Sequence, residues 1–253
     1  MDVPSWIEAL RVEGQLLGDA AARAELTAVV PTCPDWTVRD LLLHVGGVHR
    51  WAATIVGEAR PGPLEVDQPH DVVDVLPDDT ELLDWYRGGH AELVHTLEKA
   101  PVDLACWTFL PAPSPLAFWA RRQLHETTIH RVDADSATGP GTSAPVDAEV
   151  AADGVDELLT CFVSGRNRRL RGGPERTVAV RATDVDAGWL VRIGSDLPRA
   201  ERVDGEVAAD DSVSGDAAAL YLALWNRQPW DDLTVSGPAL AELWSASVRV
   251  RWS

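Results

Sequence analysis

Three side chains in this chain have the types and spacing to do metal chemistry: His44, and the pair Glu126 and His130, four residues apart. Two imidazoles and a carboxylate can hold a divalent ion while leaving coordination positions open for water or a substrate, as catalytic sites do and closed structural sites do not. At about 100° per residue, positions four apart differ by only some 40° around a helix, so Glu126 and His130 face the same way. Each residue also has a plainer reading. His44 can be a core histidine bonded to a neighbour, and Glu126 with His130 an exposed helix pair worth a few tenths of a kcal/mol. The metal reading gains from the way a helical bundle converges inward-facing side chains from different helices. Among the other histidines, His90 is the rival, since it falls between Tyr86 and Leu93 on the inner stripe of its helix. His49 and His125 are turned away from the proposed stripes, His95 misses the inner stripe, and His70 lies in a Pro- and Asp-rich connection.

The elements that must position these residues are readable in outline. Helical spacing runs from Ser5 to about Val29, where Pro31 and Pro34 stop it. Thr37 and Asp40 form a capping-box pair and Trp36 can staple onto Leu41, so a second helix is predicted from Val38 to about Val56. On it Leu41, His44, Val48 and Trp51 share one stripe, which turns His44 inward. After the connection from Pro61 to Pro77, a third helix begins at Asp78 or Asp79 and reaches Lys99, with Pro101 closing it. A loop carrying Trp107, Phe109, Pro111 and Pro113 reads as a folded-back pocket wall, and the fourth helix covers about Leu116 to Ala137.

The clearest boundary is the stretch from Gly139 to Pro145, which predicts two domains, 1–145 and 146–253. Beyond it, Asp147 caps a helix to about Phe162, and Thr177 to Ala182 and Trp189 to Ile193 alternate like strands around a turn at Asp186 to Gly188. A third strand is expected around Val203 and Val207, a helix capped by Ser214 up to Trp225, and short elements near Leu233 and Val248. The predicted fold class is therefore α+β: a four-helix bundle followed by a smaller α+β domain.

Composition excludes several partners. With 40 acidic against 22 basic residues, the formal charge of -18 repels phosphate backbones and anionic lipid surfaces, so neither nucleic acid nor membrane is expected. No apolar run approaches the roughly 20 residues that cross a bilayer. Asp2, Glu8, Arg11 and Glu13 interrupt any apolar leader, and a cytoplasmic monomer or small homo-oligomer is the expectation. Cys33, Cys106 and Cys161 are too few and too scattered for a disulfide framework or a thiolate zinc knuckle. Lys99 is the only lysine; arginine, which grips carboxylates through two parallel hydrogen bonds, supplies the remaining side-chain cations. Codon bias in a GC-rich genome explains that preference better than functional selection does.

The run from Cys33 to Gly46, CPDWTVRDLLLHVG, resembles the opening motif of the mycothiol-dependent maleylpyruvate isomerase family, whose bundle is of the DinB-like kind. The run from Arg122 to Asp133, RQLHETTIHRVD, resembles that family's second signature, and Ser214 to Arg227, SGDAAALYLALWNR, resembles a helix of its second domain. The resemblance implies that His44, Glu126 and His130 hold zinc or a similar divalent ion. It also implies that the thiol is mycothiol, the low-molecular-weight thiol of actinobacteria, activated as a thiolate to add to a small electrophile. In an isomerase the thiolate adds to the double bond of a maleylpyruvate-like substrate, the single bond rotates, and elimination follows; in a transferase the adduct leaves. Arg227, with Arg122 second, is the candidate for binding an acidic group of thiol or substrate, and Trp36 and Trp107 are candidates for lining the thiol pocket. Asn226 stands where the family pattern leads one to expect glycine before the arginine. Two other functions remain open on the residues: a metal-dependent hydrolase, in which the ion ionises water, and a non-enzymatic metal- or ligand-binding stress module.

Overall fold

A computed structural model of the chain describes residues 1–139, 144–171, 174–237 and 240–248. It divides into two compact units, Met1–Ala144 and Pro145–Ser253. Of the predicted boundary from Gly139 to Pro145, residues 140–143 lie outside the described residues, as do those after Val248. No described helix is long and apolar enough to cross a membrane.

The first unit is built on four helices, α1 (Val3–Arg23), α2 (Val38–Gly57), α3 (Leu82–Lys99) and α4 (Pro115–Ser136). Helix α1 packs on α3 and α4, and α2 packs on the same two, so α1 and α2 occupy opposite corners of the bundle. Their starts follow from capping. The Asp2 side chain accepts from the Ser5 amide, Thr37 and Asp40 complete the capping box, and Ser114 caps α4 with Pro115 in the first turn. The core is aliphatic around Leu17, Leu41, Leu42, Val45 and Leu82, with Trp36 packed at its margin.

The first helix ends at Arg23, six residues before the expected end, because residues 29–37 form a small antiparallel hairpin instead. Strand β1 (Val29–Val30) pairs with β2 (Cys33–Thr37), and Thr32 sits in the turn between them. Helix α3 starts at Leu82, three to four residues later than expected. Between α2 and α3, the single 3-10 turn Pro69–Val72 lies directly on α2. Gly47 permits that contact: a Cβ there would stand 2.5 Å from the His70 backbone nitrogen.

Helix α4 departs most from an ordinary bundle helix, because it has no apolar stripe and yet is buried along most of its length. Arg122, Gln123, Glu126, Thr127, Thr128, His130, Arg131, Asp133 and Asp135 are all buried. Buried polar groups have to be paired. Arg131 donates to Glu13 of α1 at 2.9 Å and to Asp135 at 3.2 Å, and Asp135 also receives Arg23 at 3.0 Å. This ion cluster fixes the rotation of α4 against α1.

In the second unit, α5 (Ala148–Glu157) continues as a π-helical turn, Leu158–Val163, so the helix predicted to Phe162 exists with a changed winding. A five-stranded sheet follows, in the order β5-β4-β3-β6-β7, with β3 (Arg176–Ala182), β4 (Gly188–Ile193), β5 (Arg199–Arg202), β6 (Asp211–Gly215) and β7 (Thr234–Ser236). Strands β3 and β6 are parallel and the other pairs antiparallel. No strand covers Val203 and Val207; the chain pairs just before them in β5 and just after them in β6. Nor does Ser214 cap a helix: it lies in β6, and α6 (Ala217–Leu224) starts at Asp216. The last described helix is α7 (Leu240–Ser247).

Replacing Arg131 with methionine leaves the buried Glu13 carboxylate without its cation, and a broken buried pair of this kind costs about 3–5 kcal/mol. Urea unfolding of Arg131→Met should show a lower midpoint with the slope unchanged, the shift multiplied by the slope amounting to about 3–5 kcal/mol.

Candidate metal centre

Seven residues into α2, His44 points into the bundle, while Glu126 and His130 stand one turn apart on α4. The side chains meet. Glu126 Oε1 lies 3.2 Å from His44 Nε2 and 3.3 Å from His130 Nε2, and one ligand atom from each residue falls within 4.8 Å of the others. All three are buried, with 4 to 7% of each residue exposed. Two bonds of about 2.0–2.1 Å at a tetrahedral angle span about 3.3–3.4 Å, so the two carboxylate–imidazole separations fit a divalent ion held by nitrogen and oxygen. These residues would hold the ion through one oxygen and two Nε2 atoms.

Charge is distributed unevenly over the three. Burial pushes the His44 pKa down, with Glu126 only partly opposing it, so the neutral imidazole is favoured; its Nε2 would offer a lone pair to an ion in the tautomer protonated at Nδ1. Burial works against a charged Glu126 as well, but hydrogen bonds with His130 and His44 and the charge of Arg122 hold it well below the usual carboxylate range. For His130, burial opposes the charge, yet the hydrogen bond to Asp133 and the nearby Glu126 carboxylate outweigh it and raise the pKa to about 9. An ion arriving at neutral pH must therefore displace a proton from His130.

A second ring of groups orients these three. His130 Nδ1 donates to Asp133 Oδ2 at 2.8 Å, which leaves Nε2 as the nitrogen facing Glu126. Asp133 is in turn held by the Thr32 hydroxyl at 2.6 Å, and the Cys33 thiol lies 3.6 Å from its other oxygen, so the β1–β2 hairpin braces the α4 ligand. The sequence reading missed Asp133, although a carboxylate three residues after a helical histidine was the signal available. Arg122, one turn before Glu126, donates to Glu126 Oε2 at 3.1 Å.

Trp36 is set against both imidazoles, 4.8 Å from His44 and stacked 5.8 Å from His130, ring centre to ring centre. Trp107 lies in an aromatic cluster of the same unit. Its ring packs with Trp51, Phe109 and Trp119, and its carbonyl accepts from the Trp119 indole at 2.9 Å. The rival histidine, His90, is not in the constellation: it reaches the Leu10 carbonyl at 3.0 Å, in space that Gly14 leaves by having no side chain. His49 pairs with the Thr127 hydroxyl at 2.9 Å. In the second unit, Arg227 follows Asn226, whose φ of 58° is left-handed. The Arg227 amide bonds back to Leu222 at 2.8 Å and that of Asn226 to Ala223 at 3.0 Å, a closing turn that glycine favours and asparagine tolerates. The asparagine thus supplies the turn expected of glycine.

Comparison with known proteins agrees with this architecture. Residues 7–135 match the profile described as the mycothiol maleylpyruvate isomerase N-terminal domain, and residues 149–242 match the corresponding C-terminal domain. Two solved structures are similar over 93% of this chain and 93% of theirs. One is the mycothiol-dependent maleylpyruvate isomerase, at 12% identity and TM-score 0.63, and the other is a histidine-to-alanine mutant of that enzyme, at 14% identity and TM-score 0.62. At such identities the likeness is one of fold. No curated protein sequence matches the chain.

Because His130 is protonated up to about pH 9 without metal, apparent metal affinity should rise about tenfold per pH unit from neutrality to about 9 and level off above it. The same proton contributes stability to the metal-free protein that is fully present below pH 6.5 and lost as the pH rises through about 9. Chelator competition across this range measures the first effect. Asp133→Asn should move the break to lower pH and weaken affinity on the plateau by about 10- to 100-fold.

Proposed function

This chain belongs to the mycothiol maleylpyruvate isomerase family, and from that premise we propose that it uses mycothiol as its thiol and zinc as its ion, acting on a small, maleylpyruvate-like electrophile. The activity is that of a metal-assisted, thiol-dependent isomerase or transferase. One observation carries the reading: His44 Nε2, His130 Nε2 and Glu126 Oε1 converge in the buried core from two helices.

A divalent ion at this site would stabilise a thiolate at neutral pH and so convert a weak nucleophile into a strong one. The residues of the chain do the rest. Neutral His44 would hold an ion through Nε2 in its Nδ1-protonated tautomer; His130 would give up its Nε2 proton to the ion and keep the Nδ1 proton that it donates to Asp133. Trp36 covers one side of both imidazoles and keeps bulk water from them. We assign Arg227 to an acidic group of thiol or substrate, because a guanidinium fixes a carboxylate with two parallel bonds. With a substrate whose adduct can eliminate, addition, rotation about the new single bond and elimination give cis-trans isomerisation; with one whose adduct is stable, the same addition is S-transfer. A cytoplasmic monomer or small homo-oligomer suits a small-molecule enzyme of this acidity.

The test removes one ligand. His44→Ala should lose bound metal and mycothiol-dependent turnover together, with circular dichroism unchanged. A variant that retains both contradicts the assignment, and turnover of an ester or amide by the wild type without any thiol would show a hydrolase instead.

A further inference from the structure

Arg122 is a permanent cation buried against the ligand set, and it donates to the ligand carboxylate itself. It is 1% exposed, lies one helical turn before Glu126, and donates from Nη2 to Glu126 Oε2 at 3.1 Å. The other oxygen, Oε1, is the one directed at His44 and His130. The two oxygens of a single carboxylate are thus divided between two tasks.

We propose that Arg122 is a positioning residue that restricts Glu126 to one-oxygen coordination and so keeps a coordination position free for the thiol. The proposal rests on the metal reading above and deepens it. A carboxylate free to rotate can clasp a divalent ion with both oxygens, and each extra oxygen occupies a place a substrate sulfur would need. A guanidinium does not lose its proton, so its hold on Oε2 persists at any working pH. Lysine would be a poorer substitute, since its ammonium is a mobile point charge on a flexible stem. Burial strengthens the constraint: with 4% of Glu126 exposed, water is not at hand to replace the guanidinium. Arg122 also offsets part of the Glu126 charge, which leaves a bound cation with more of its own charge to stabilise a thiolate. The sequence suggested that Arg122 binds an acidic group of the thiol or substrate; the geometry gives it an acidic group inside the protein.

Cobalt(II) reports coordination number through the intensity of its visible bands, which are strong for four ligands and weak for five or six. Wild-type protein loaded with one cobalt per chain should show the strong, four-coordinate spectrum. Arg122→Met, which keeps the side-chain bulk and removes the charge, should still take up one cobalt but show weakened bands, with mycothiol binding reduced by about tenfold or more. Arg122→Lys should fall between the two. An unchanged spectrum and unchanged mycothiol affinity in Arg122→Met would overturn the proposal. Should Arg122→Met not fold, X-ray absorption of the wild-type cobalt protein decides: two oxygens from Glu126 on the metal contradict the proposal, one supports it. Wild-type protein that takes up no cobalt would remove the metal reading itself, and this proposal with it.

Discussion

Burial of the Glu126 carboxylate is the constraint from which most of the first unit follows. An ionised carboxyl group taken out of water is costly unless opposed by charge and saturated with hydrogen bonds. Here it is surrounded by His44, His130 and Arg122, each within 3.3 Å of one of its oxygens. Meeting that demand requires α2 to present a histidine, α4 to present another one turn away, and α4 to give up an apolar stripe. A polar helix buried in a bundle then needs partners of its own, which α1 supplies as Glu13 and the β1–β2 hairpin as Thr32. The bundle is held as much by these pairings as by its aliphatic core.

The same arrangement is a precondition for chemistry. Without an ion, a proton on His130 balances the buried carboxylates of Glu126 and Asp133; an ion would displace that proton and be held by the two imidazoles and the carboxylate oxygen. Asp133 prevents the imidazole from turning to its other nitrogen, and the hairpin keeps Asp133 from moving. Orientation is therefore built before any ligand binds, which is the condition under which a metal site discriminates and activates rather than merely attracts.

How far the site could be read from sequence depended on whether its signals were local. Thr37 with Asp40, the Leu41–His44–Val48 stripe and the Glu126–His130 spacing are contained within a turn or two of helix, and the helices appear where they indicate. Failures occurred where structure depends on distant partners. Residues 29–37 carry two prolines and no alternation, so their hairpin becomes visible only once α4 gives Asp133 for Thr32 to hold. Strands β5 and β6 are four and five residues long with mixed exposure, and the apolar pair Val203 and Val207 falls between them rather than in them. Arg122 reads as the second candidate for an acidic group of the thiol or substrate, and the sequence holds no signal that its guanidinium also meets Glu126, four residues on. At Asn226 the departure from glycine is explained by backbone geometry, since both residues accept the left-handed turn that sends the chain into Arg227.

The proposed function depends on one step, ionisation of a thiol at the His44, Glu126, His130 site. Calorimetric titration of mycothiol into metal-loaded and metal-free protein, repeated in two buffers of different ionisation enthalpy, counts the protons released on binding. Binding is expected only to the metal-loaded protein, with close to one proton released per thiol at neutral pH. Equal binding to the metal-free protein, or binding without proton release, would contradict the proposed function.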